Sequence, residues 1–278
     1  MVLTLGSPGC FRGKTTGDMD RDEKKLNSIE KAMEIILKFQ EIKPSWGIRE
    51  LSSELGFSPA TVQRILQVLK SYEFVRQDPR SRQYFIGNIF YRFLENLNKS
   101  NDLVRIGRPF LEEVAEVTLE TVHLSVIEKN YRICIDNIES PKVLKAGMPV
   151  GNKSPLHTGA SAKCLLAFSS EDFQDNYIRS TKFEPLTKNT IILSGKLFED
   201  LYRIKDQGYS VSFGERTPGL GSISAPVFDH KGNILASLSV AIPEVRLKQK
   251  KHLALCTGVV VKEAKAFSIA MGLDSKRI

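Results

Sequence analysis

Gln63, Arg64 and Gln67 are the side chains of this 278-residue chain best suited to reading a base pair. Glutamine and arginine can each place two hydrogen bonds on one base edge in the major groove, glutamine on adenine and arginine on guanine. Among them run Val62, Ile65, Leu66 and Leu69, which recur at i, i+3, i+4 and i+7. A helix with that spacing buries one stripe and leaves Thr61, Gln63, Arg64, Gln67 and Lys70 off it. Ser58 supplies an N-cap hydroxyl, and Pro59 suits the first helical position, where its missing N–H costs nothing. Downstream, Arg76, Arg80 and Arg82 face only Asp78 as a nearby acid, so their charge can contact phosphates, which hold register without reading sequence. The alternative for these arginines is that they simply solvate a hairpin. The DNA-contacting set expected here is Ser58, Thr61, Gln63, Arg64, Gln67, Arg80 and Arg82.

Elements must hold that face outward. Ile48, Leu51, Leu55 and Phe57 predict a short helix over residues 48–55, with Gly56 as a left-handed stop, and the pair of helices forms a helix-turn-helix. A helix over 28–40, opened by an Asn27/Glu30 capping box and carrying Ile29, Met33, Ile36 and Leu37 on one side, is expected to supply a third wall. Phe74 and Val75, then Tyr84, Phe85 and Ile86, read as two short strands around a turn at Asp78-Pro79-Arg80-Ser81, which makes the head winged. Residues 88–100, with Ile89, Phe90, Phe93, Leu94 and Leu97 on one side, read as a linker helix. It either packs on the chain's own core or dimerises, as suits proteins that read paired half-sites about one DNA turn apart.

Composition restricts the partners. The net charge of +8 and pI near 9.2 favour a polyanion, and the helix-turn-helix selects nucleic acid over a membrane surface. No apolar run approaches the roughly 20 residues that cross a bilayer, and the start of the chain lacks the basic flank of a signal peptide, so cytoplasmic residence is expected. Cys10, Cys134, Cys164 and Cys256 form no CxxC pair, and His123, His157, His230 and His252 show no ligand spacing. Reduced thiols and no metal or other cofactor are expected. Gly13-Lys14-Thr15 resembles the end of a phosphate-binding loop, but Pro8 stands where its first glycine belongs. Residues 1–22 read instead as a disordered tail or an extended start of the reading frame.

The second half alternates strand pairs with helices. A helix over 103–118 precedes a hairpin in which Val122, Leu124 and Val126 alternate, as do Ile133 and Ile135, around Lys129-Asn130. A second hairpin joins 222–228 to 233–241 across Asp229-His230-Lys231-Gly232, and helices are expected near 160–168, 195–206 and 247–271. This pattern indicates an α+β domain built on an antiparallel sheet. The expected organisation is a tail over 1–22, a winged helix-turn-helix over 23–87, a linker helix over 88–100 and an effector domain over 101–278.

Several separated segments resemble the IclR family of transcriptional regulators: ELSSELGFSPATVQRILQVLKSYEFV in the head, then PLHTGASAKCLLAF, DQGYSV, ERTPGLGSISAPVFDHKGNILASLSV and IPEVRL. The resemblance spans roughly residues 27–271. It implies a winged helix-turn-helix, a linker helix and a GAF-like α/β effector domain, acting as a dimer or dimer of dimers on a palindromic operator. It also implies repression or activation of catabolic genes in response to a small metabolite. By matching motif, the effector pocket would involve Ala146, Ala160, Ser161, Ser212, Leu220, Ser222, Ser239 and Ala241. Ala160 and Ser161 would offer backbone N–H groups at a helix start, where a carboxylate is favoured. Family members that bind very small 2-oxo acids carry aspartate, cysteine and serine where this chain has Ser212, Ser222 and Ala241. An organic or sugar acid is the first choice of ligand, and an aromatic acid the second.

Bland readings stand beside these. Ser222 and Ser239 could be sheet hydroxyls satisfied by backbone, His157 a structural loop histidine, and Lys163 either a counter-charge for an anion or a solvated helix residue. Two other functions compete: a metabolite-transforming enzyme with a DNA-binding head, and a constitutive DNA binder without an effector. No nucleophile elbow, HExxH or glycine-rich nucleotide loop supports an enzyme, and no catalytic residue is assigned.

Overall fold

The computed structural model describes residues 26–40, 43–100 and 102–275. The expected tail over 1–22, Gly13-Lys14-Thr15, Cys10 and the side chain of Leu97 lie outside what is described. The chain divides into two compact units, Met1–Leu97 and Asn98–Ile278.

In the first unit, helix α1 spans Ser28–Lys38 and opens on the expected capping box. Asn27 Oδ1 accepts from the amides of Ile29 (2.9 Å) and Glu30 (3.0 Å), and Glu30 Oε2 accepts from the amide of Asn27 (2.7 Å). The side it buries differs from expectation. Ile35 is fully buried and Ile36 partly so, whereas Ile29, Met33 and Leu37 stand exposed as a stripe at i, i+4 and i+8. Helix α2 spans Ile48–Leu55 and ends on Gly56 in the left-handed region (φ +68°), and α3 spans Pro59–Ser71. Leu51 of α2 and Val62, Ile65, Leu66 and Leu69 of α3 share one core with Ile35 and Trp46.

Three short strands complete this unit: β1 (Ser45–Trp46), β2 (Val75–Gln77) and β3 (Tyr84–Ile86), in the order β1-β3-β2. β1 was not foreseen from the sequence, because two residues cannot display an alternation. β2 extends past Val75, so Arg76 lies in a strand with its guanidinium 4.6 Å from the Phe85 ring centre and not at the wing tip. Helix α4 (Ile89–Ser100) follows, with Phe90 edge-on to Phe74 at 5.6 Å and Phe93 6.2 Å from the same ring. Tyr91, Phe93 and Leu94 remain exposed.

The second unit is a six-stranded antiparallel sheet in the order β6-β5-β4-β9-β8-β7. Its strands are β4 (Thr121–Glu128), β5 (Tyr131–Ile138), β6 (Lys153–Pro155), β7 (Ser210–Phe213), β8 (Leu220–Phe228) and β9 (Ile234–Pro243). Val122, Leu124, Ile223, Ala225, Leu238 and Val240 point to one face, where α5 (Asp102–Thr118) and α10 (Lys250–Ala270) cover them. Gly107 lets these two helices close up: a Cβ there would stand 2.6 Å from Phe267, whose ring stacks on Phe110 at 5.1 Å. The other face lies under α6 (Ala160–Ala167), every residue of which is buried. Around it stand α7 (Glu171–Ser180), which the sequence reading did not name, and α8 (Ser194–Gln207). The helix expected over 247–271 is α10, and a separate short helix, α9 (Glu244–Leu247), precedes it across Lys248 and Gln249. Cys134, Cys164 and Cys256 are buried free thiols.

Candidate functional site

Two surfaces carry the predicted residues. On α3 the four apolar positions are buried, while Gln63, Arg64, Gln67 and Lys70 are exposed. Ser58 caps the helix: its Oγ accepts from the Thr61 amide at 3.2 Å and lies 2.9 Å from Thr61 Oγ1. Both hydroxyls are therefore already engaged with each other, while Gln63, Arg64 and Gln67 keep their hydrogen-bonding groups toward solvent. At the wing, Asp78 Oδ1 accepts from the amides of Arg80 (2.9 Å) and Ser81 (2.7 Å), and this fastens the turn. Arg80 and Arg82 are exposed beyond it.

The second surface is a cavity of about 150 Å3 at the N-terminal end of α6. Of the residues expected at an effector pocket, Ala146, Ser161, Ser212, Leu220, Ser222 and Ala241 line it. Ala160 does not, because its amide donates to Ser212 Oγ (3.0 Å) and Ser222 Oγ (3.3 Å). The preceding amide, on Gly159 (φ +82°), donates to Glu215 Oε2 at 3.0 Å. Of the two helix-start amides expected to receive a ligand carboxylate, that of Ala160 is thus answered by the chain's own hydroxyls, while Ser161 lines the cavity. Lys163 is neither solvated nor turned to the cavity as a counter-charge: it is 1% exposed and its Nζ donates to Asp200 Oδ2 and Glu215 Oε1, both at 2.6 Å. Burial opposes ionisation of Asp200, yet Lys163 and Arg203 hold its carboxyl below the usual range.

Ser239 is also absent from the cavity lining. It sits deeper, in a row set by strand register: His123 on β4 faces Ser239 on β9, which faces Ser224 on β8, which faces Ser210 on β7. All four are fully buried, and neither ring nitrogen of His123 nor any of the three hydroxyls has a partner among the described residues. Burial, with Arg132 and Arg216 adding positive charge nearby, lowers the His123 pKa to about 3, so the imidazole is neutral. His157 is a structural loop residue, with Nδ1 2.9 Å from the Tyr177 hydroxyl and its ring against Phe183.

Family models account for both surfaces. The IclR helix-turn-helix domain matches residues 28–79, and the bacterial transcriptional regulator IclR C-terminal domain matches residues 96–269. The chain belongs to the IclR family of transcriptional regulators. Along nearly its whole length this IclR regulator is 28% identical to the HTH-type transcriptional regulator BhcR of Paracoccus denitrificans, over 98% of this chain and 96% of that protein. It is 30% identical to the HTH-type transcriptional regulator KdgR of Dickeya chrysanthemi, over 84% of this chain and 77% of that one. The crystal structure of Thermotoga maritima IclR superposes with a TM-score of 0.76 at 25% identity, over 89% of this chain and all of that one. This IclR regulator is accordingly a DNA-binding transcriptional regulator with an effector-binding domain, and its relatives are named as regulators of transcription, not as enzymes.

Among the lining residues that sequence reasoning missed are two arginines, Arg132 and Arg216. Arg132 alternates with Ile133 in β5 and reads as the solvent-side residue of a half-buried strand. It is in fact 1% exposed, with its guanidinium bonded to Ser154 of the neighbouring β6 and to Asn152 of the loop before it. Arg216 lies inside ERTPGLG, where the resemblance drew attention to Leu220 and Ser222 instead. Among the described residues no three histidine, cysteine, aspartate or glutamate side chains gather to hold a metal, and no helix is long and apolar enough to cross a membrane.

Proposed function

We propose that this regulator binds a palindromic operator as a dimer or a dimer of dimers in the cytoplasm and changes its hold on that operator when a small organic acid enters the cavity beside α6. Thr61, Gln63, Arg64 and Gln67 read base edges, Ser58 sits against the backbone at the helix start, and Arg80 and Arg82 reach phosphates. The observation that carries the DNA reading is the exposed polar face of α3 set against a fully buried opposite stripe. Exposed apolar residues on α1 (Ile29, Met33, Leu37) and α4 (Tyr91, Phe93, Leu94) suit pairing of two heads. A cavity of about 150 Å3, not filled by side chains, favours an effector over constitutive binding. Such a ligand controls catabolic genes when it binds the operator-holding and operator-releasing states unequally.

An operator selected from random DNA by the purified protein allows the test. Fluorescence anisotropy at several salt concentrations should show sequence preference in the wild type and its loss in Arg64→Ala. Equal preference of the two proteins for operator over random DNA would overturn the reading. A panel of small acids, read by thermal shift and by operator affinity together, tests the effector half.

A further inference from the structure

Arg132, fully buried, and Arg216, partly exposed, are two cations on the cavity wall with which no carboxylate of the described residues pairs. Arg132 Nε donates to Ser154 Oγ (3.0 Å), Nη1 to Asn152 O (3.2 Å) and Nη2 to Asn152 Oδ1 (3.2 Å). Arg216 Nη2 donates to the same Asn152 Oδ1 at 2.7 Å, and Nη1 of each arginine approaches Met148 Sδ, at 3.4 Å for Arg132 and 3.6 Å for Arg216. One amide oxygen and one sulfur therefore serve both guanidinium groups, which stand as close neighbours on the cavity wall, held only by neutral acceptors. Among the described residues no carboxylate pairs with either.

The acids nearby are committed elsewhere. Glu215 spans Lys163 and Gly159, Asp200 spans Lys163 and Arg203, and Asp136 pairs with Arg108. Those groups balance one another, and His123 and Cys134 are neutral, Cys134 because burial pushes its thiol up to about 11. Two positive charges are left over. Burial, then repulsion by Arg216, brings Arg132 down to about 9, which still leaves it charged near neutral pH. Two like charges out of water without counter-ions cost stability, and such a cost is tolerated where a ligand repays it.

We infer that the cavity is built for a small dianion, a short-chain dicarboxylate, whose two acid groups pair with Arg132 and Arg216 while its carbon chain lies against Ala146, Leu220 and Ala241. The inference rests on the effector reading above and narrows it to a ligand class. A monoacid would neutralise one guanidinium and leave the other unpaired. The amides of Gly159 and Ala160 at the start of α6 are already held by Glu215, Ser212 and Ser222. Planar guanidinium groups match carboxylates with paired hydrogen bonds, which single out an acid over its amide. At about 150 Å3 the cavity is well below the roughly 300–1,000 Å3 of drug-sized sites, so the chain between the acids is short.

The test uses calorimetric titration of the full-length protein with malonate, succinate, succinamate, butyrate and inorganic phosphate. Malonate or succinate should bind about tenfold or more tighter than succinamate and butyrate. In Arg216→Gln that ratio should collapse toward one, while the ligand-free melting midpoint rises because the like charge beside Arg132 is gone. A monoacid bound as tightly as the diacids overturns the dicarboxylate assignment but leaves an acid effector standing. Phosphate bound as tightly as succinate also overturns it, in favour of an inorganic anion. Absence of binding by malonate and succinate overturns this inference alone; the effector reading falls only if the wider panel of small acids also gives no thermal shift. Should Arg216→Gln fail to fold, Arg132→Met gives the same ratio test.

Discussion

The α3 face and the α6 face of the large sheet are written alike in sequence and end in opposite environments. In α3, apolar residues alternate with Gln63, Arg64 and Gln67 at helical spacing, and the polar side meets solvent. In β4, Val122, Leu124 and Val126 alternate with His123 and Ser125, yet the polar side is fully buried under a helix. A polar face left open suits a partner as large as a duplex, whose charge and base edges arrive from outside. A polar face that is roofed over can serve only something small, and its unpaired groups register that need. Among the described residues Arg132 and Arg216 have only neutral partners and His123 and Ser239 have none, whereas α3 has nothing buried and unpaired.

The largest expected effect is on the roofed side. Lys163→Met would leave Glu215 and Asp200 facing each other without their shared cation and should cost about 3–5 kcal/mol, measured by urea unfolding. A loss below about 1 kcal/mol would mean that solvent reaches this face and the contrast fails. Acid comes next. His123 titrates at about 3 in the fold, while an unfolded histidine titrates at about 6.5. Between those values the unfolded chain binds a proton that the fold refuses, so stability falls as pH drops through that window. The fall should be about 2 kcal/mol from pH 6.5 to 5, and His123→Gln should flatten much of it. His157, lowered to about 4 by burial, contributes in the same direction.

On the open side the effects are smaller for folding and larger for binding. Arg64→Ala should remove about 1–3 kcal/mol of operator discrimination while leaving the unfolding midpoint within error. Ser58→Ala removes the α3 cap and should cost about 1 kcal/mol of stability in the first unit. Smallest is Arg80→Ala, which should weaken all DNA about equally and reduce the salt slope by about one. A selective loss on operator alone would move Arg80 from backbone contact to base reading.

The same contrast explains what could be read from sequence. Capping residues, helical spacing and turn chemistry are local, so Asn27, Ser58, Pro59 and Gly56 placed the helices of the head. Which side of α1 is buried depends on its neighbours, and there Ile35 took the core position while Ile29, Met33 and Leu37 stayed outside. In the second unit the alternation identified the core face of β4, but nothing local says that α6 covers the reverse face. Arg132 went unnoticed because the residues that hold it, Ser154 and Asn152, are distant in sequence, and Ala160 was expected at a ligand although its amide donates to Ser212 and Ser222. Motif matching located Leu220 and Ser222 on β8, and Ser212 on β7 and Ala241 on β9, which both pair with Ser222 across the sheet.

Reading and sensing should therefore be separable within one protein. The direct measurement is to titrate wild type and Arg64→Ala with operator DNA, and separately with succinate, under one buffer. The account predicts that Arg64→Ala loses its preference for operator over random DNA while its succinate affinity stays within about twofold of wild type, and that succinate changes operator affinity only in the wild type. Unchanged operator preference in Arg64→Ala, or wild-type operator affinity indifferent to every acid that binds, would contradict it.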